Sequence, residues 1–495
     1  MTQDQISALR VLPVVPQQHV IGGKHAVSVS GRTLPVISPI DGKVFASIAE
    51  GGAEDVNAAV AAARMAFDKG AWRHAAPAER KKKLVKLAEL IEARALELAV
   101  LGSRDNGTEI AMAMKAEPLS AAATFRYYAE AIDKLYGEIA PTGPDTLALI
   151  LREPLGVVGI IVPWNFPLMI GAWKIAPALA AGNSVVVKPA EIASLSLLRI
   201  AGLALEAGIP EGVFNVVTGR GSVVGEALGL HMDVDALAFT GSGAIGRKLL
   251  EYAARSNIKR VYLELGGKSP NIIFADAPDL DQAAKASAYG MFRNAGQVCV
   301  AGSRLLIEDC VHDAFLDKVA AITRQLKTGD PLDLATEVGA IASAEQLAKN
   351  LQFVANAERD GAKRLLGGAR IREETGGFYQ SPAIFADVSP AMQIAREEVF
   401  GPVLAVMRFK DEADAVRLAN STVYGLASGV WTANLARAHR MVRAIRAGVV
   451  HVNCYGGADI TVPLGGFGQS GFGRDKSLHA LEKFTDLKTA WMALG

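Results

Sequence analysis

From residue 156 onward, short apolar runs of strand length alternate with helical stretches, and no other feature restricts the fold of this chain as much. The runs are 156–162 (GVVGIIV), 184–188 (SVVVK), 213–217 (VFNVV), 234–239 (VDALAF) and 260–265 (RVYLEL). Helical patterns at 171–181, 194–207, 222–229 and 244–254 separate them. Strands that are apolar at consecutive positions have no face to give to water, so both faces must be covered. The intervening helices supply that cover, and the arrangement they predict is a doubly wound parallel sheet. A second series follows, with strands near 270–274, 302–307, 403–408, 426–431 and 448–452 and helices near 279–293, 310–326, 343–359 and 433–446. It predicts a second α/β lobe, and a length of 495 residues is enough for two.

The remainder is less regular. Residues 1–50 read as short strands and turns. Helices are predicted over 53–68 and 77–101, the second with Pro77 in its first turn, an apolar stripe at 84, 87, 88, 91, 95 and 98, and Gly102 as its stop. Another helix is predicted over 118–136. The tail (474–495) reads as a short helix followed by a strand, FTDLKTAWM, that would expose an edge unless it paired with another segment or subunit.

Composition excludes several classes. The net charge is +1, so there is no basic field that would favour nucleic acid or an anionic membrane. The run Lys81 to Lys83 opens an amphipathic helix and reads as a solvated face. No uncharged apolar stretch approaches the ~20 residues that span a bilayer, and the polar N-terminus lacks a signal-peptide pattern. Three cysteines (Cys299, Cys310, Cys454), with no CxxC spacing, favour a reducing compartment. The cytoplasm is the expected location. The eight histidines show no metal-ligand spacing, so no metal is expected.

Chemistry concentrates in three segments. Cys299 lies in NAGQVCVAGSR (294–304), among glycines and amides that suggest a placed nucleophile. PWNFP (163–167) offers Asn165, an amide able to hold an oxyanion, and LELGGKSP (263–270) offers Glu264. A cysteine, an amide and a carboxylate, each at the end of an apolar run, suggest acyl chemistry on a carbonyl. Each also has a plainer reading: Cys299 as core filler, Asn165 as a turn residue, Glu264 as a cap. Cys310 and Cys454 read as structural thiols.

FTGSGAIG (239–246) follows a strand and opens a helix, and Gly241, Gly243 and Gly246 satisfy GxGxxG, a pattern that admits a pyrophosphate. An acid about 20 residues further on would hold a ribose, and Glu264 stands there. VVVKPAE (185–191) offers a second choice in Lys188 and Glu191, and a carboxylate at 191 would repel a 2′-phosphate. These residues alone leave both glutamates open for the ribose.

PWNFP, KPAE, FTGSGAIG, LELGGKSP, GQVCVAGSR, EEVFGPV (397–403) and PLGGFGQSGFGRD (463–475) occur in the order and near the spacing of the NAD(P)-dependent aldehyde dehydrogenase superfamily, which the whole chain resembles. Gly243 departs from the usual residue at its position. The resemblance implies an α/β fold of three parts: a doubly wound parallel-sheet NAD-binding domain (1–131 and 155–265), a second α/β catalytic domain (266–470) and a small β oligomerisation element (132–154 and 478–495). It implies that Cys299 is the nucleophile, Glu264 the general base and Asn165 the oxyanion donor. Lys188 and Glu191 would hold the adenosine ribose, with NAD preferred and NADP disfavoured. Glu398 would hold the nicotinamide ribose beside Phe400, and Trp164, Thr240, Gly241 and Ser242 would flank the cofactor. Phe166, Trp173 and Leu464 would line an aldehyde tunnel. Glu264 also argues against a coenzyme-A-acylating relative.

The resemblance further implies a homo-oligomer, a tetramer or a dimer, built through a hairpin near 137–152 and the tail strand. Segments 127–140 and 473–494 resemble bacterial enzymes that oxidise aminoaldehydes from polyamine or arginine breakdown, such as 4-(γ-glutamylamino)butanal. Glu117 and Asp459 are then expected at the tunnel mouth, facing a cationic substrate. The alternatives are a broad-specificity aliphatic or aromatic aldehyde dehydrogenase and a catalytically idle homologue.

Overall fold

The computed structural model describes residues 1–457 and 459–495. Its first sheet has eight strands. Five parallel ones form the centre, in the spatial order Phe214–Val216, Ser184–Pro189, Val157–Val162, Ala236–Thr240, Arg260–Glu264. Val157, Val158 and Ile160 have no exposed surface, and each such side chain contributes about 1.5–3 kcal/mol by leaving water. The order reverses direction at Val157–Val162, which lies between an earlier-turning and a later-turning half. At such a switch point two loops diverge from the carboxyl ends of adjacent strands and leave a crevice. Here those loops begin at Pro163 and Gly241.

The edges of this sheet were not legible as strands of it. His19–Ile21 pairs antiparallel with Phe214–Val216 and is itself flanked by Lys24–Ala26. At the other edge Gly471–Phe472 pairs antiparallel with Arg260–Glu264, so the chain returns to the first sheet after completing the second.

The second sheet has seven strands in the order Lys363–Leu366, Ala383–Ala386, Val403–Phe409, Arg304–Glu308, Pro270–Ile273, Ala427–Trp431, Val449–Val452. Five of these match the expected strands. Lys363–Leu366 and Ala383–Ala386 were missed; they are short, pair antiparallel with each other, and extend the sheet through Val403–Phe409. The helix Glu412–Ala419, capped by Asp411, was also missed.

Several expected boundaries are corrected. Residues 1–50 include a helix, Gln3–Arg10, closed at its start by a capping box from Thr2 and Gln5. The expected helix 77–101 is two helices, Pro77–Ala93 and Ala95–Asn106, broken at Arg94. Gly102 lies inside the second, and Gly107, left-handed at φ 82°, ends it. The expected helix 118–136 is a π turn at Lys115–Leu119, an α-helix at Ser120–Ala131 and a 3₁₀ turn at Ile132–Lys134. Cys310 and Cys454 are exposed, not buried fillers.

The tail strand Thr485–Ala493 pairs antiparallel along its whole length with Thr146–Pro154, which also pairs with Glu138–Ala140. The edge anticipated for the tail is therefore half satisfied within the chain. Among the described residues, no helix is long and apolar enough to cross a membrane.

Candidate active site

Cys299 occupies a turn between the helix Leu280–Phe292 and the strand Arg304–Glu308. The turn is strained: Asn294, Ala295 and Gly296 are consecutive left-handed residues at φ 49°, 51° and 72°. A non-glycine residue in that region costs on the order of 1–3 kcal/mol, and the surroundings of Asn294 offset the cost. Its N–H donates to Glu109 Oε1 at 2.9 Å, its Oδ1 accepts from Thr108 Oγ1 at 2.8 Å, and its Nδ2 reaches the Asn165 carbonyl at 3.3 Å. Gln297 is tied down as well, donating to the Ala340 carbonyl and accepting from the Ala342 N–H. Thr108, Glu109 and Asn294 were not found from sequence, because they support the site through long-range contacts that carry no local pattern.

Two cavities meet at the cysteine. One, about 150 Å³, is lined by Trp164, Asn165, Thr240, Gly241, Ser242, Glu398 and Phe400, among others. The other, about 180 Å³, is lined by Phe166, Trp173 and Leu464 together with Arg293, His451 and Lys476. Cys299 and Ile170 belong to both walls.

Asn165 is buried, and its Nδ2 donates to the Gln297 carbonyl at 2.9 Å. One N–H of the amide is thereby fixed, which orients the other. The backbone around it is held by Asn106, whose Nδ2 donates to the Trp164 and Asn165 carbonyls. A preoriented donor of this kind matters most where charge develops. Asn165→Ala is expected to lower kcat about 100-fold with little change in cofactor affinity, measured by steady-state NADH formation. A loss smaller than about threefold would remove Asn165 from that role.

The paired glycines of LELGGKSP are explained by close approach. A Cβ on Gly266 would stand 2.0 Å from Glu398 Oε2, and one on Gly267 would stand 2.7 Å from the Cys299 carbonyl. Gly267 N–H donates to Glu398 Oε1 at 2.9 Å. Burial pushes the Glu398 carboxyl up to about 7, opposed by that N–H and by Lys268. Phe400 is left-handed at φ 59° and packs edge-on against Trp164, with ring centroids 5.2 Å apart. Gln346 holds that conformation by donating to the Val399 and Phe400 carbonyls at 3.1 Å. Gln346 and Lys349 line the cofactor-side cavity and were missed. The only hint was S-x-x-Q at 343–346, which reads as a helix cap rather than a wall.

Thr240 and Glu264 are cross-strand partners at the carboxyl ends of adjacent parallel strands. Glu264 is 5% exposed, and its Oε1 has no hydrogen-bond partner. Burial raises its carboxyl to about 8, and the Asp475 charge adds to the rise against Lys174, Lys483 and Arg474. Asp475 itself stays below the usual carboxylate range: burial works to raise it, but Lys174 and Lys483, both ion-paired to it, prevail. Burial and the Glu264 and Glu398 charges push the Cys299 thiol well up, while the Val300 N–H and Arg293 favour the thiolate. The pair Cys299 and Glu264 is thus close enough to interact, and both groups rest protonated near neutrality.

Glu191 stands elsewhere, after the strand Ser184–Pro189, with two strands between that strand and Glu264's. Lys188 Nζ lies 2.8 Å from its Oε2. Burial works to raise the Glu191 carboxyl, but Lys188 holds it low, so it stays ionised. Ser242 caps the helix Gly243–Arg255, its Oγ accepting from the Ile245 N–H. A helix N-terminus, an ionised carboxylate and a buried, unpartnered Thr240 Oγ1 fit a dinucleotide.

Glu117 is not at the tunnel mouth. It is 3% exposed, and its Oε2 accepts the Leu168 and Met169 N–H groups at 2.7 and 2.9 Å. It therefore satisfies the first turn of the helix Pro167–Ala180, whose leading N–H groups have no partner within the helix. Asp459 is exposed, accepts from the Thr461 N–H and attracts Lys476, but it does not line the cavity.

The profile of the "Aldehyde dehydrogenase family" matches residues 26–490. The chain belongs to the aldehyde dehydrogenase family. It is 50% identical over 475 residues to the NADP/NAD-dependent aldehyde dehydrogenase PuuC of Escherichia coli, covering 96% of this chain and 95% of that one. A solved γ-glutamyl-γ-aminobutyraldehyde dehydrogenase from Burkholderia cenocepacia superposes with a TM-score of 0.98 at 49% identity, covering 100% of each chain. An indole-3-acetaldehyde dehydrogenase solved with NAD+ also superposes at 0.98, with 50% identity and 100% of each chain covered. The fold of this aldehyde dehydrogenase is the two-lobed α/β arrangement expected from its sequence.

Proposed function

We propose that this aldehyde dehydrogenase oxidises an aminoaldehyde such as 4-(γ-glutamylamino)butanal to its acid, with Cys299 as nucleophile. The observation supporting the chemistry is that Cys299 joins a cofactor-side cavity to an aldehyde-side cavity. The aminoaldehyde rests on the named activity of the Burkholderia relative.

NAD would be held by Lys188 and Glu191, by the Gly241–Ser242 turn and helix behind it, and by Glu398 with Trp164 and Phe400; when bound it supplies a hydride acceptor. NADP is disfavoured because ionised Glu191 repels a 2′-phosphate. The Cys299 sulfur bonds to the aldehyde carbon, and its proton passes to a base. Asn165 and the Cys299 N–H stabilise the resulting oxyanion. Loss of hydride from that carbon leaves a thioester on Cys299. Glu264 then takes a proton from water, the water oxygen bonds to the acyl carbon, and the C–S bond breaks to release the acid.

A panel of 4-(γ-glutamylamino)butanal, 4-guanidinobutanal, 4-aminobutanal, hexanal and benzaldehyde tests the substrate class. An amino-substituted aldehyde is expected to lead in kcat/KM by more than about tenfold. A flat profile would overturn this in favour of a broad-specificity enzyme, the second reading, which the apolar walls Phe166, Trp173 and Leu464 support.

The roles of the three chain regions follow the same proposal: 1–131 with 155–265 bind the cofactor, 266–470 carry the nucleophile, and 132–154 with 478–495 join subunits in the cytoplasm. The three-stranded tail sheet leaves Ile139 73% and Trp491 68% exposed, with two open edges, a combination that favours pairing with a second copy. Sedimentation is expected to give a dimer or tetramer, and deletion of 485–495 to give smaller species. A full-length monomer at micromolar concentration would refute it.

A further inference from the structure

Glycines from three separate segments make room for one side chain. Gly290 in the helix Leu280–Phe292, Gly302 just before the strand Arg304–Glu308 and Gly429 in the strand Ala427–Trp431 all face Tyr455. A Cβ on Gly290 would stand 2.8 Å from Tyr455 Cδ1, one on Gly302 would stand 3.0 Å from its Cζ, and one on Gly429 would overlap its Cδ2. None of the three has a positive φ, so it is the approach of the ring, not backbone conformation, that calls for glycine. Tyr455 follows the edge strand Val449–Val452 and crosses the neighbouring strand at Gly429, the cross-strand partner of His451. The His451 ring flanks it, with centroids 5.6 Å apart. The phenol ends at the nucleophile turn, where its hydroxyl donates to the Val300 carbonyl at 3.0 Å. Tyr455 is half-buried as a residue, but the hydroxyl end is enclosed: burial pushes the phenol well up, against Arg293, so it stays a donor.

Val300 directly follows Cys299, and both of its backbone groups are engaged. The N–H favours the Cys299 thiolate, and the carbonyl accepts from Tyr455. Burial, Glu264 and Glu398 all oppose the thiolate, and Arg293 is the other group that favours it. The aim of the Val300 N–H therefore matters, because a hydrogen bond favours the charged form only while it points at it. We propose that Tyr455 is a positioning residue for the nucleophile: its hydroxyl pins the Val300 carbonyl and so keeps the Val300 N–H aimed at the Cys299 sulfur. This rests on Cys299 being the nucleophile, as proposed above. Tyr455 lines neither cavity, so it acts through Val300, whereas the next residues, Gly456 and Gly457, line the aldehyde side. Ring and hydroxyl thus have separable effects. The ring holds a tunnel wall, and the hydroxyl holds the turn.

Tyr455→Phe removes the hydroxyl and keeps the ring in its glycine socket, while Tyr455→Leu removes both. Two rate constants are measured on the full chain, so partial loss of folded enzyme does not alter them. One is alkylation of Cys299 by iodoacetamide from about pH 7 to 9, where the thiolate is the minor form, followed by peptide mass spectrometry. The other is the first turnover of NADH with hexanal and with 4-(γ-glutamylamino)butanal. Tyr455→Phe is expected to slow both about three- to tenfold, with aldehyde KM and NAD affinity within about twofold of wild type. Tyr455→Leu is expected to add a rise of at least about threefold in aldehyde KM. The direction of the alkylation change separates the proposal from loosened packing, which would expose the thiol and speed the reaction. Tyr455→Phe rates within about twofold of wild type, or faster alkylation, overturn the proposal. If Tyr455→Leu alone is impaired, the ring only packs and the hydroxyl has no positioning role. If Cys299→Ala keeps its turnover, the nucleophile assignment falls and this role with it. If Cys299→Ala is inactive and Tyr455→Phe is unchanged, the nucleophile stands and the positioning role falls.

Discussion

Cys299→Ala is expected to reduce NADH formation to background with every aldehyde, a fall in kcat of at least about 10⁴-fold. The size follows from what is removed. Without the sulfur there is no covalent adduct, and neither Asn165 nor Glu264 has an intermediate on which to act. The rest of the site should survive, because the strained turn is held through Asn294 and Gln297 rather than through the thiol. NAD should therefore still bind the variant, detectable by quenching of protein fluorescence. Residual turnover above about 1% of wild type would show that another group performs the attack.

Glu264→Gln is expected to separate the two half-reactions. Oxidation of the aldehyde on Cys299 should give one equivalent of NADH per site in a rapid burst. Hydrolysis should then stall, lowering the steady-state rate by about 10²–10⁴-fold, the range lost with a general base. Intact-protein mass spectrometry should show the acyl adduct. Absence of both burst and adduct would place Glu264 before hydride loss instead.

The pH dependence follows from the same residue. Burial raises Glu264 to about 8, so at pH 7 only roughly a tenth is the carboxylate that can accept a proton. Steady-state kcat in the wild type should rise with pH through about 8 and level off above it. Glu264→Gln should lose that limb. A wild-type rate that falls over this range would contradict the assignment.

The central strands, the flanking helices and the segments holding Cys299 and Asn165 were legible because each is written locally, whereas Glu398 was found only through the family resemblance of EEVFGPV. A continuous apolar run declares a strand covered on both faces. The misses have the opposite character. Lys363–Leu366, Ala383–Ala386 and Gly471–Phe472 are short, and they are strands only because a neighbouring edge offers them hydrogen bonds. Glu117 was misplaced for a related reason: an acid near a tunnel wall and an acid on a helix N-terminus look alike until the partner N–H groups are known.

By itself, the sequence determined the two α/β lobes, for which periodicity suffices, and the family, which its seven motifs in order carry; the roles proposed for Cys299, Asn165 and Glu264 came with that resemblance. The tertiary structure decided which groups face one another. It set Asp475 between two buried lysines beside Glu264, held Phe400 left-handed through Gln346, and brought Arg293 and Lys476, 183 residues apart in the chain, into one tunnel. Their charges act through distance and desolvation, quantities that no linear spacing encodes.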